Sequence, residues 1–94
     1  VADLIEQMRS AREEIRPWIA AILGSIGKPA TDPLLDARGR EEDPTVKNWY
    51  AASLELAGDA RALDLIERLP QEEKPDPHKV AAGREVFVRL QELL

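Results

Sequence analysis

His78 is the one imidazole in the chain, and it follows directly on Asp76-Pro77. Acid–base catalysis needs convergent groups with tuned proton affinity. A single imidazole with no nucleophile spaced to meet it makes no triad, and a solvated residue at a helix start accounts for it. Ser25 and Ser53 fall on helix sides with no base in register. Cysteine is absent, which removes disulfides, thiolate metal sites and thiol nucleophiles together. A metal site would have to be all carboxylate, without the spaced Asp/Asn loop that calcium asks for. Gly24-Ser25-Ile26-Gly27 reads as a helix end and not as a phosphate loop. The expectation is a protein that is not an enzyme and holds no cofactor and no metal.

Electrostatics remains. Carboxylates gather at Glu13 and Glu14, at Glu41, Glu42 and Asp43, and at Glu72, Glu73 and Asp76. If the segments that carry them stack in order, the three clusters line one edge, at the ~10 Å spacing of packed helix layers. Such an acidic edge could steer a basic segment of a partner. Helix dipoles also favour carboxylates at N-termini, so an ordinary solvated edge is the competing reading.

The net charge of −5 argues against nucleic acid or an anionic membrane surface as partner, because both need Lys and Arg to offset phosphates. Four aromatics, Trp18, Trp49, Tyr50 and Phe87, are too few for a base-stacking platform. Hydrophobic residues make up 44% of the 94 positions, enough for one core, and the expectation is a single domain spanning 1–94. No apolar run approaches the ~20 residues of a membrane span, and Asp3 and Glu6 spoil a signal-peptide pattern. A cytoplasmic location is expected. Val1 in place of Met points to a processed chain or a piece of a longer one.

The elements that must position these residues come from a repeat. A shift of 31 positions lays Ile15–Arg38 over Val46–Leu69, with six of 24 pairs identical: Trp18/Trp49, Ala20/Ala51, Ala21/Ala52, Leu23/Leu54, Gly27/Gly58 and Leu34/Leu65. Chance gives roughly one or two at ordinary residue frequencies. Within the unit Ile15, Ile19, Ile22, Leu23 and Ile26 form a stripe of helical period. Val46, Tyr50, Leu54 and Ala57 repeat it, with the tryptophans on its shoulder. Core or inter-repeat packing explains that pair of tryptophans; the alternative is an exposed aromatic anchor for a partner.

Boundary signals agree with helices. Gly27 and Gly58 follow the last apolar residue, where a left-handed cap wants no Cβ. Asp32-Pro33, Asp43-Pro44 and Asp76-Pro77 each pair a capping carboxylate with a proline suited to the first helical position, and Asp59 is placed to cap as well. The pattern predicts helices near 3–10, 11–26, 32–38, 44–57, 60–69 and 77–93. Ser10 and Glu13 match a capping box, yet Pro17 would kink a helix starting there, so 3–26 could also be one bent helix.

Asp43-Pro44-Thr45-Val46-Lys47, then Ala51-Ala52, Leu54, Gly58 and Asp59, resembles the second helix and following turn of bacterial HEAT-like repeats. Ile15-Arg16, Ala20-Ala21, Leu23-Gly24, Ile26-Gly27 and Pro29 are similar to the same pattern, in the short form of phycobilisome-lyase-type repeats. The likeness covers about residues 12–69. The segment 70–94 keeps an Asp-Pro start and a stripe of Val80, Phe87, Leu90 and Leu94 but lacks the Ala-Ala and Gly landmarks, as a degenerate repeat or a cap would. The resemblance implies an all-α fold, a short right-handed α-solenoid of antiparallel helix pairs with about two and a half to three repeats. It implies a non-catalytic scaffold that docks another protein, or a segment packed against the rest of a longer chain. A nucleic-acid-binding HEAT-like domain would need a basic face that the sequence lacks. Leu90, Leu93 and Leu94 make a poor polar cap, so either self-association through the repeat ends or a continuation of the chain is expected.

Overall fold

Asp43 sits in extended backbone, and its carboxylate accepts from the N–H of Thr45 at 2.9 Å. The same arrangement recurs where Asp59 accepts from Arg61 at 3.1 Å and Asp76 from His78 at 2.9 Å. Each aspartate satisfies a backbone donor that a helix start leaves without a partner. The computed structural model describes residues 1–93, and Leu94, one of the expected stripe residues, lies outside them. Its helices are α1 (Ala2–Ser10), α2 (Arg16–Ile26), α3 (Thr31–Arg40), α4 (Pro44–Ala57), α5 (Ala60–Arg68) and α6 (Pro77–Leu93). The fold is all-helical, with no strand among the described residues. No helix there is long and apolar enough to cross a membrane.

Three expected boundaries are corrected. Ser10 ends α1 and caps nothing, and Glu13 turns to Arg16 and Trp49. There is no bent helix over 3–26. Pro17 lies in the first turn of α2, where its missing N–H leaves no gap in the helical ladder. Asp32 is not a cap either: a 3-10 turn at Lys28–Ala30 runs straight into α3, and Asp32 falls in the first helical turn. There its carboxylate pairs with Arg61 at 3.3 Å. Gly58 takes the left-handed cap conformation as expected (φ 73°, ψ 14°), whereas Gly27 has positive φ with ψ −134° and feeds the 3-10 turn.

α4 is the axis of the molecule and packs against all five other helices. Around it the core closes on Met8, Leu23, Leu34, Tyr50 and Leu54, all fully buried. α6 returns to pack against both α2 and α4, so these three helices are mutual neighbours. The radius of gyration of 11.9 Å is that of a compact chain of this length, for which about 12 Å is usual.

Burial separates the two segments that the 31-residue register aligns. Ala20/Ala51, Ala21/Ala52 and Leu23/Leu54 are equally and completely buried. The shoulder differs. Ile15, Trp18 and Ile22 are 47%, 42% and 36% exposed, while Val46 and Trp49 are 2% exposed and Ser53 is buried. The expected apolar stripe of α2 is therefore rotated: its buried face is Ile19, Ala20, Ala21, Leu23 and Gly24. Helix α4 has neighbours on every side and α2 does not.

Small residues bring α2, α4 and α6 together at Leu56. A Cβ added at Gly24 would stand 2.8 Å from Leu56 Cβ and 3.3 Å from its carbonyl carbon. One at Gly83 would clash with the far end of the same side chain, Leu56 Cδ1, at 2.6 Å, and otherwise make ordinary contact with Ala20 Cβ at 3.6 Å and the Pro17 carbonyl oxygen at 3.8 Å. Gly24→Ala should therefore destabilise by ~1–3 kcal/mol, since backbone must shift. Gly83→Ala should be close to neutral, because a Leu56 rotation and a helix-propensity gain of up to ~1 kcal/mol offset each other. Urea denaturation of both variants checks this; equal midpoints would show that α2 and α4 are not held at this approach.

Candidate functional site

The first turns of α4 gather the three acidic clusters, and they do so through hydrogen bonds and ion pairs that neutralise much of the charge. Lys47 and Arg38 each reach Glu73 at 3.5 Å. Asn48 donates to the Lys74 carbonyl at 2.9 Å and accepts from the Asp76 N–H at 2.8 Å, so one amide pins the whole α5–α6 connection. The indole N–H of Trp49 donates to Glu13 at 2.9 Å, and the Lys79 ammonium stands 5.7 Å from its ring centre. That distance suits a cation–π contact.

The eight expected edge residues thus divide. Glu13, Glu41, Glu73, Asp43 and Asp76 are engaged. Glu41 in particular has a side chain only 9% exposed, paired with Arg9 at 3.0 Å and accepting from the Asp43 N–H at 3.1 Å. Glu14, Glu42 and Glu72 are exposed and make no ion pair among the described residues. The bonds of Glu41 and Glu73 tie α1, α3 and α4 to the loops beside them, so these two carboxylates are part of what holds the fold. Asp76 is held below the usual carboxylate range, first by the His78 N–H that it accepts and then by nearby Lys79. Asp59 is lowered likewise, first by the Arg61 N–H.

Sequence reasoning missed Asn48. A polar amide in the first turns of an otherwise apolar-faced helix was the available signal, since a half-buried amide must find partners.

Beside α4, helices α1 and α3 form the walls of an open groove of about 640 Å³. Ile5, Pro33 and Ala37 supply apolar surface, and Tyr50 closes the floor. The Tyr50 hydroxyl donates to the Ile5 carbonyl at 3.1 Å and so ties α1 to α4. Burial, then the negative charge of Glu41, pushes its pKa up to about 12.

The residues weighed for catalysis stay apart. Ser25 donates to the Ile22 carbonyl at 2.7 Å and Ser53 to the Trp49 carbonyl at 2.9 Å, each turned back on its own helix. His78 is exposed at the start of α6. No group of three or more His, Asp or Glu side chains among the described residues converges as a metal site would. Two surface features stand out: an exposed apolar ridge of Ile15, just before α2, with Trp18 and Ile22 on one side of α2, and an acidic, apolar-floored groove. No family model, no curated protein and no solved structure matches this chain significantly.

Proposed function

We propose that the chain is a single-domain, non-catalytic interaction module built from HEAT-like helical repeats, which docks another protein through α2. The observation that carries this reading is Trp18. An indole 42% exposed, flanked at helical spacing by Ile15 and Ile22, leaves a contiguous apolar surface open to water. Tryptophans so placed are favoured anchors of protein interfaces. The paired registers of buried Ala20/Ala51 and Leu23/Leu54 support the repeat. In this reading α6 is the degenerate closing unit, folded onto α2 and α4 instead of continuing a row.

The repeat also indicates the chemistry of the cover. At the matching position of α4, Trp49 donates its N–H to a carboxylate from the α1–α2 turn and carries an ammonium from the first turn of α6 over its ring. The partner of Trp18 is accordingly a helical segment presenting an acidic and a basic residue around apolar contacts. The rest of a longer chain could supply it as well as a separate protein. A photo-crosslinking amino acid placed at position 18, with the exposed position 85 of α6 as control, tests the reading in cells that make the natural chain. One species attached through 18 and absent at 85 is expected, and Ile15→Ala with Ile22→Ala, which strips the exposed apolar surface around the probe, should abolish its capture with little change in melting temperature. Equal labelling at both positions, or none at 18, would refute it.

A further inference from the structure

We infer that the groove between α1 and α3 is a second docking site, for a basic peptide segment that carries an arginine or lysine next to an apolar side chain. The groove belongs to a different surface from the α2 ridge, and the inference does not rest on the reading of Trp18. Its volume of about 640 Å³ falls among cavities that hold ligands, roughly 300–1,000 Å³. The chemistry is two-layered. Below are Ile5, Pro33, Ala37 and the Tyr50 ring; around them stand five carboxylates against two guanidiniums, Arg9 and Arg40.

Both guanidiniums are already committed. Arg9 pairs with Glu41 at 3.0 Å and Glu6 at 3.8 Å, and Arg40 pairs with Asp36 at 3.3 Å. An incoming anion would find no free cation there. An incoming cation finds Glu42, exposed and without an ion pair among the described residues, and Asp36, exposed and shared only with Arg40. The carboxylate excess attracts a cation over the range of a Debye length, and the apolar floor then rewards one with a greasy neighbour. Nucleic acid and anionic lipid carry the wrong charge for this rim. A bare polyamine has the right charge and nothing for the floor.

The test is an NMR titration of the ¹⁵N-labelled chain with acetyl-Leu-Arg-Leu-Arg-amide. Saturable shifts are expected in α1, α3 and residues 41–43, weakening severalfold between roughly 50 and 300 mM salt. Asp36→Lys with Glu42→Lys should weaken binding roughly tenfold, about 0.7 kcal/mol for each reversed contact. Both side chains are exposed, so the fold should survive. Glu14→Lys with Glu72→Lys makes the same charge change outside the groove and should alter affinity less than twofold. Four outcomes would overturn the inference: no saturable shift, shifts centred on α2, equal losses in the two double variants, or equal binding of spermine. The last would mean that charge alone is recognised. Failure of the crosslink at position 18 leaves this result untouched, so the two readings fail separately.

Discussion

Leu54→Ala should lower the unfolding free energy by ~2–5 kcal/mol, the usual cost of emptying a leucine site in a closed core. Leu54 is completely buried on the helix that touches every other one, so the cavity has no single wall that can collapse into it. Its neighbour Glu55 lines the surface between α5 and α6, half-buried and making no side-chain hydrogen bond or ion pair among the described residues. Glu55→Ala should stay within ~0.5 kcal/mol of the parent. Domains of this size hold only about 5–15 kcal/mol in all, and each kcal/mol moves the midpoint by roughly 4–8 °C. Thermal melts of the two variants therefore separate by roughly 8–40 °C, two to five times the per-kcal shift. Coincident midpoints would mean that the core is not centred on α4.

Alkaline unfolding should report on Tyr50, the single tyrosine of the chain. Its hydroxyl is buried neutral and donates to the Ile5 carbonyl, with a pKa of about 12 in the folded state against 10.0 when free. The folded state thus resists losing this proton. The stabilisation is fully present below pH ~10 and disappears as pH rises from there through the folded value, because the unfolded chain ionises first. Two pKa units correspond to roughly 2–3 kcal/mol, lost across that interval. Tyrosinate absorbance should accordingly rise with unfolding and not before it. Tyr50→Phe should cost ~1 kcal/mol at neutral pH through the lost hydrogen bond and should flatten the alkaline loss. A free-tyrosine titration in the folded protein, at pH near 10, would show that the hydroxyl is accessible and that α1 is not held over it.

How much of this was legible differs from residue to residue. Asp43, Asp59, Asp76 and the positive φ of Gly27 and Gly58 are local chemistry: each satisfies or permits backbone within a few residues, and each is where the pattern put it. Asp32 misled because a cap is a competition. The 3-10 turn at Lys28–Ala30 delivers the chain into α3 one residue early and leaves Asp32 to the dipole and to Arg61. The groove was half legible, since Glu41, Glu42 and Asp43 were in view. Glu6 and Asp36 joined them only because α1 lies against α3 and α4.

The sequence by itself determined that the chain is helical and, for five of the six helices, where each begins and ends to within two residues; α2 starts five residues later than its pattern. Period, caps and glycines act over one or two turns, and nothing distant can override them cheaply. Tertiary structure decided what each repeat position means. Trp18 and Trp49 are the same residue in the same register, yet one stands in water and the other holds Glu13 and lies under Lys79. Burial is a property of neighbours. The return of α6 onto α2 and α4, with Gly24 holding α2 close to α4 at Leu56, surrounds α4 and leaves one side of α2 open.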